Sequence, residues 1–379
     1  MDSTTTVSNS TPERLSTTPI TSPAAIDSPP QLVAQTVQNQ VRTIGINPNH
    51  WYAVAWAKDL GPGKPLAVTI WQQDVVLYRD DQGQVHGAED RCPHKGVSMH
   101  HGSVKGDRLV CAYHGWEFGP TGECAKIPYF PPSQKLPPAC LKTYPVRERY
   151  GIIFLFPGAA ELAETTPMLE IPQFDDPDYL VVQIGAEFNA HYTMCNENTM
   201  DVFHGHLHEN LQGWYDPVLT QLQETEDAVY AEYKVSYGGI IANFLGLKDH
   251  QGDTTQRITV NYQYPNYINT LKGDSFLYLM RLPIGPDRSR SFSLMCVKVK
   301  LPRWILTPLR QLLEPVIREK LFMRFLRQDI LMIESEFQHY QQDPQRRYLE
   351  VNPAIIAVQR LMMRQYDRYL AGRSSDSLK

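Results

Sequence analysis

Short runs of β-branched and aromatic residues fill the first ordered part of the chain. WYAVAWAKDL, LAVTIW, DVVLYRD and VHGAED follow from about Asn47, parted by Gly, Pro and Asp. Runs of this kind with turn residues between them predict strands. The pattern lasts to GIIFLFPG at 151–158, and nothing before that point has the length or period of a core helix. A small antiparallel all-β domain is expected over residues 45–158.

The stretch ELAETTPMLEIPQFDDPDY, rich in Pro and acidic residues, then marks a boundary. YLVVQIGAEFNAHYTM alternates as a strand, and AVYAEYKVSY, IIANFL, RITVNYQYPNYI, SFLYLMRL and SFSLMCVKVKL alternate again between 222 and 300. Together they predict one curved antiparallel sheet with an open face for a helix. Residues 316–342 carry apolar positions at helical spacing, from Ile317 and Leu321 to Ile330 and Ile333. The fold class is therefore α+β: a β domain, then a helix-grip-like unit over 159–345, then a C-terminal helix and tail over 346–379. That last helix, NPAIIAVQRLMMRQYDRYL, reads as packing or subunit contact. Residues 1–44 are rich in Ser, Thr and Pro and bury too little apolar surface to order themselves. A transit peptide is the alternative, but Arg14 is accompanied by Asp2, Glu13 and Asp27.

Composition narrows the class. The chain has 379 residues, 42% hydrophobic and 20% charged, with a net charge of −5. Nucleic acid is not indicated as a partner at that balance. No apolar run is long enough to span a bilayer, so a soluble, cytoplasmic protein is expected. Cys124, Cys140, Cys195 and Cys296 are scattered and read as free thiols in a reducing compartment.

The remaining two cysteines carry chemistry. Cys92-Pro-His94 and Cys111-Ala-Tyr-His114 are two half-sites of one thiol and one imidazole, sixteen residues apart. Two Cys on one iron and two His on the other make a Rieske [2Fe–2S] centre. Cys92 and Cys111 then hold the inner iron, His94 and His114 the outer one. Gly96, Gly102, Gly106 and Gly115 permit loops tight enough to bring N–H groups near sulfur. Structural zinc accepts the same atoms, but its motifs favour CxxC knuckles over a one-residue spacer.

A second constellation follows the first strand of the later unit, in CNENTMDVFHGHLHENLQGW. On an α-helix at about 100° per residue, Asn198, Asp201, His204 and His208 share one face, and His206 points away. Two imidazoles at i and i+4 plus a carboxylate form the facial triad of mononuclear Fe(II) oxygenases. A solvated, His-rich helix face is the bland alternative. Asp329, in RQDILMIES, is the expected carboxylate, with Glu334 and Glu336 as competitors. Phe203, Tyr237, Phe244, Tyr262, Tyr264 and Tyr267 would suit the walls of a flat, apolar substrate's cavity, or simply the core.

With both motifs in view, residues 46–345 resemble the catalytic subunits of Rieske non-haem iron oxygenases. The pattern N-x-x-D-x-x-H is matched by Asn198, Asp201 and His204. Most members place the second His five residues on, where this chain has Glu209; His208, four residues on, is taken instead, with His206 and Glu209 as alternatives. WYAVAW and GKPLAV lean toward the branch that resembles pheophorbide a and chlorophyllide a oxygenases. The resemblance implies an oxidoreductase that uses O2 and electrons from an NAD(P)H-dependent reductase, with or without a ferredoxin. Its cofactors would be the Rieske cluster and a mononuclear Fe(II). Monooxygenation of an apolar, aromatic or polycyclic small molecule is expected, by hydroxylation or demethylation. Ring dihydroxylation and a Rieske electron carrier without oxygenase chemistry are the rival readings. By the same resemblance Asp201 bridges a cluster His of one subunit to an iron-ligand His of the next, in a homotrimer. Arg91, Lys95, Lys105 and Arg108 would steer an acidic electron donor or stand idle. Seven basic residues between Lys300 and Arg327, interleaved with Trp304, Leu309 and Phe322, suggest either a helix packed on its own domain or peripheral membrane contact.

Overall fold

The computed structural model describes residues 39–208, 214–237, 255–272, 275–298 and 314–376. Glu209, Phe244, the side chain of Tyr237 and residues 300–313 of the basic stretch between Lys300 and Arg327 lie outside those residues.

Packing begins before residue 45. Val41, Ile44 and Ile46 are buried, as is the Arg42 guanidinium. The strands then follow, β1–β4 and β11 on the runs named from sequence: β1 (Tyr52–Trp56), β2 (Leu66–Ile70), β3 (Gln73–Arg79), β4 (Val85–Glu89), β5 (Ser103–Lys105), β6 (Arg108–Val110), β7 (Glu117–Phe118), β8 (Cys124–Lys126), β9 (Thr143–Tyr144), β10 (Val146–Arg149) and β11 (Ile152–Leu155). They form three small sheets, ordered β1-β11-β10, β2-β3-β4-β9 and β5-β6-β7-β8. YAVAW in β1 and IIFL in β11 are buried throughout, which is why they read as unbroken apolar runs instead of alternating ones. As expected, only short 3-10 turns interrupt this half.

The second half is one seven-stranded antiparallel sheet. Its strands are β12 (Tyr179–Phe188), β13 (Trp214–Glu224), β14 (Ala228–Tyr237), β15 (Thr255–Gln263), β16 (Asn266–Lys272), β17 (Ser275–Gly285) and β18 (Arg288–Lys298). The order β12-β18-β17-β16-β15-β14-β13 places the first strand beside the last. Helices α1 (Tyr192–Met200), α2 (Met323–Gln342) and α3 (Pro353–Asp376) pack on it.

The two halves share a core. The indole of Trp56 meets the ring of Phe292 edge-on at 5.1 Å. At the turn joining β2 to β3, Trp71 and Gln72 both adopt positive φ, 43° and 63°. Such a two-residue hairpin usually needs Asn or Gly. Here two main-chain bonds hold it: Trp71 N–H donates to Pro283 O at 2.7 Å and Gln72 N–H to Ile284 O at 2.8 Å. The strained turn is thereby stitched to the end of β17.

One expected element differs. The helix read through His208 stops at Met200; Asp201 and Val202 are non-helical and Phe203–His208 form a 3-10 turn. Asp201 causes the change, because its Oδ1 accepts from Phe203 N–H at 2.9 Å and so caps the new turn.

Candidate metal centres

The cluster loops are built alike. Cys92 N–H donates to Val97 O (2.8 Å) and Gly96 N–H to Cys92 O (2.8 Å); Cys111 N–H donates to Trp116 O (2.9 Å) and Gly115 N–H to Cys111 O (3.0 Å). Each loop closes through a glycine in the left-handed region, φ +74° at Gly96 and +68° at Gly115, where a side chain would be strained. Both thiols are 2% exposed and lie against one another, with the backbone N–H groups of His94 and Lys95 directed at the Cys92 sulfur. The imidazoles of His94 and His114 stand outside them, 4.6 Å apart and partly exposed. Trp116 stacks flat on His94 at 4.5 Å. Buried sulfurs beneath a pair of outward imidazoles fit the donor set of a Rieske cluster.

The basic residues nearby mostly serve structure. Glu117 is 5% exposed, and Arg108, Lys105 and Lys126 surround it at 3.2, 3.6 and 3.7 Å. Arg91 pairs with Glu89 at 2.5 Å.

The second centre joins the 3-10 turn to α2. His208 and Asp329 are buried, at 0% and 3% exposure, and His204 is partly so. Asp329 Oδ1 lies 3.2 Å from His208 Nε2 and 3.6 Å from His204 Nε2. One ligand atom from each of the three residues falls within 4.8 Å of the others. Ligands bound at about 2.1 Å on adjacent corners of one metal stand about 3 Å apart, so the donor set fits. The outer nitrogens are held or poised: His208 Nδ1 meets Gln328 Oε1 at 2.9 Å, and His204 Nδ1 faces Asp201 Oδ2 at 4.0 Å. Burial lowers the His204 pKa against the opposing pull of Asp329 and Asp201, favouring the neutral imidazole a metal requires.

His206 is exposed and outside this group, and the competing acids are elsewhere: Glu334 accepts from Asn189, and Glu336 lies near Arg42. Asn198 reaches Asp329 Oδ1 through Nδ2 at 3.4 Å. Asp201 is fixed from Asn352, the residue before α3, whose Nδ2 donates to its Oδ1 at 3.0 Å.

Trp214 and Phe325, which the sequence did not single out, wall the imidazoles. The Phe325 ring is 3.7 Å from His208, and Trp214 is 5.2 Å from His208 and 5.5 Å from His204. Gly205 makes room for it, since a Cβ there would come within 2.3 Å of Trp214 Nε1. A cavity of about 170 Å³ opens beside the triad, with Ile184, Val260, Leu279 and Met295 among its apolar walls. Among the described residues, the aromatics named from sequence follow the alternative reading or face outward: Tyr262, Tyr264 and Tyr267 are core, and Phe203 is 40% exposed.

Comparisons with known proteins agree with this geometry. The model of the Rieske [2Fe-2S] domain matches residues 50–145. The chain is 32% identical to the 4beta-methylsterol monooxygenase of Methylococcus capsulatus over 348 residues, 88% of this chain and 92% of that protein. Pheophorbide a oxygenase of Oryza sativa is 30% identical, over 41% of this chain and 32% of that one. The crystal structure of dicamba monooxygenase bound to dicamba has the same fold, with a TM-score of 0.72 at 20% identity, covering 86% of this chain and 99% of that one. Among the described residues no helix is long and apolar enough to cross a membrane. An upstream Rieske domain, a downstream sheet flanked by a turn and a helix that bring two His and one carboxylate together, and a relative aligned along nearly its whole length make this chain a member of the Rieske non-haem iron oxygenases, oxidoreductases with a [2Fe–2S] cluster and a mononuclear iron.

Proposed function

We propose that Cys92, His94, Cys111 and His114 hold the cluster in a domain spanning residues 45–158, and that His204, His208 and Asp329 hold the iron in one spanning 159–345. The chain then acts as the oxygenase component that monooxygenates an apolar small molecule, with electrons from an NAD(P)H-dependent reductase, directly or through a ferredoxin. The observation that carries this reading is the convergence of three ligating atoms beside a largely apolar cavity. Bound there, iron supplies dioxygen activation and the cluster supplies electrons singly.

The chain's own residues do the rest. Gln328 holds the His208 imidazole with Nδ1–H outward, which leaves Nε2 as the ligating atom. Trp214 and Phe325 keep water from the imidazoles, and the apolar walls confine the substrate. Asp201, partly exposed and beside His204, suits a bridge to a cluster histidine of a neighbouring copy. The outward placement of His94 and His114 supports that contact, and a homotrimer closes it into a ring. A peripheral membrane contact by the basic stretch over 300–327 would admit lipid-soluble substrates; exposed Val316 supports it.

Metal and sulfide analysis with EPR of the anaerobic, dithionite-reduced protein tests the assignment. About three irons and two acid-labile sulfides per chain are expected, with Asp329→Ala falling to about two irons and keeping the Rieske signal. An unchanged iron content in Asp329→Ala would remove the triad; zinc without sulfide would remove both centres.

A further inference from the structure

The cavity carries a charge that the metal site does not use. Leu277, Leu279 and Arg281 alternate along β17, so they face one side of the sheet, and all three line the cavity. Arg281 is 4% exposed. Its Nη2 donates to Cys195 O at 3.1 Å and to Thr199 Oγ1 at 3.0 Å, and its guanidinium lies 4.7 Å over the ring of Phe188. Nε and Nη1 are buried with no hydrogen-bond partner. Its acceptors are therefore a carbonyl and a hydroxyl, neither of which offsets a full positive charge; the Asp329 carboxylate acts on it through space without a hydrogen bond, and belongs to the metal site. A buried guanidinium is costly unless a carboxylate or comparable anion meets it, and its N–H groups are built to do so through charge-assisted bonds.

A second position sets the length of the ligand. Asn269 lines the same cavity, is 6% exposed and has its Oδ1 unpartnered. It stands opposite Leu277 in the β16–β17 register, hence four residues, or about 13 Å, along the strand from Arg281. Ile258, Val260 and Leu279 are among the apolar groups that share the cavity. The walls thus offer a cation at one place, an acceptor at another and hydrocarbon besides.

We propose that Arg281 anchors a carboxylate of the substrate, so that this oxygenase takes an apolar acid in preference to a neutral hydrocarbon, ketone or amide. Asn269 Oδ1 accepts from a donor at the far end of the same molecule. The inference rests on the reading of this cavity as the substrate site of the oxygenase. Arg281 touches no metal ligand among its hydrogen bonds, so its contribution is to specificity and orientation.

Calorimetric titration of the full-length, cluster-loaded protein with 2-naphthoate and with its neutral isostere 2-naphthamide tests the anchor. The titrations are run with Fe(II) present and after chelation of the mononuclear site. The acid is expected to bind at least about ten-fold more tightly than the amide in both states. Arg281→Gln is expected to erase the preference and Arg281→Lys to retain part of it, with the cluster spectrum and Tm reporting that each variant is folded. Equal affinities in the wild-type protein, or no binding of naphthoate at millimolar concentration, would overturn the anchor without recourse to any variant. A preference seen only with Fe(II) present would place the carboxylate on the metal and overturn the anchor while leaving the oxygenase reading intact. A preference that persists in a protein whose triad binds no iron would do the reverse: it supports the anchor and removes the oxygenase reading.

Discussion

His208 Nε2 stands 3.2 Å from Asp329 Oδ1, although 121 positions separate the two residues. The neighbour of that aspartate, Gln328, reaches the other nitrogen of the same ring, with Oε1 2.9 Å from Nδ1. Two consecutive residues on α2 therefore grip both edges of one imidazole and leave it a single tautomer for ligation.

Gln328→Leu should weaken Fe(II) binding by about 10–100-fold, the usual loss when the partner of a ligating histidine is removed. The cluster loops lie in the other half of the chain and should keep their EPR signal. An Fe(II) titration of the chelated protein reads the affinity directly; an unchanged constant would mean that Gln328 does not orient the ring.

Asp201 is held in place by Asn352 and by its own cap on Phe203 N–H. Asp201→Asn keeps the shape and removes the charge beside His204. Single-turnover oxidation of the pre-reduced protein should slow by at least about ten-fold with both metals retained. Asn352→Ala frees the carboxylate without discharging it and should give a smaller loss. Wild-type rates in Asp201→Asn would end the bridging role.

Two buried histidines give stability a defined pH dependence. Burial lowers the His191 pKa to about 3, with the Arg42 charge adding to it, and lowers that of His50 to about 4. Both titrate at about 6.5 in the unfolded chain. Between these values the unfolded state binds protons that the folded state refuses, so the stability these two groups contribute is complete above pH 6.5 or so and falls as the pH drops toward 4 and 3. Glu336, whose pKa burial raises to about 7, acts with the opposite sign in the upper part of that range. Each group contributes a limiting slope of about 1.4 kcal/mol per pH unit within its window. Urea denaturation from pH 7 to 4 isolates the histidine's share as a difference: the stability of wild type should fall relative to that of His191→Phe as the pH drops, even if the variant is less stable at neutral pH, and a constant difference would remove the role.

The cluster site was legible because its chemistry is local. Each half-site is one loop, closed by one glycine, and its residue order already states which atoms meet. The iron site was legible in its membership but not in its geometry. His204 and His208 come together on a 3-10 turn, after Asp201 has ended α1, whereas a continuous helix was the basis for pairing them. His206 stands exposed and apart from the three grouped ligand atoms. The walls of the cavity stay open on sequence for a different reason. Tyr262 has the same parity on β15 as Ile258 and Val260, and strand alternation cannot separate them. Tyr262 lies under α1, where its hydroxyl accepts from Asn196 Nδ2 at 3.2 Å, while Ile258 and Val260 line the cavity. Which end of a sheet face a helix covers is decided by tertiary packing, and so is the wall made by Trp214.

The arm before residue 45 shows the same limit and offers the sharpest stability test. Arg42 donates from Nη2 to Glu197 Oε2 at 2.7 Å and from Nη1 to Thr193 Oγ1 at 2.8 Å, and Nη1 also bonds Glu197 Oε1. The side chains of the pair are 5% and 10% exposed, so neither charge has water to fall back on. Glu197 lies on α1, whose end positions Asp201 and the turn that bears the histidines. Arg42→Ala leaves a buried carboxylate unpaired and should cost about 3–5 kcal/mol, more than a surface pair is worth. Replacing both residues, as Arg42→Met with Glu197→Gln, removes the stranded charge and should recover a large part of that loss. Denaturant unfolding of the two singles and the double isolates the coupling. Additive losses would show that the pair does not act as a unit.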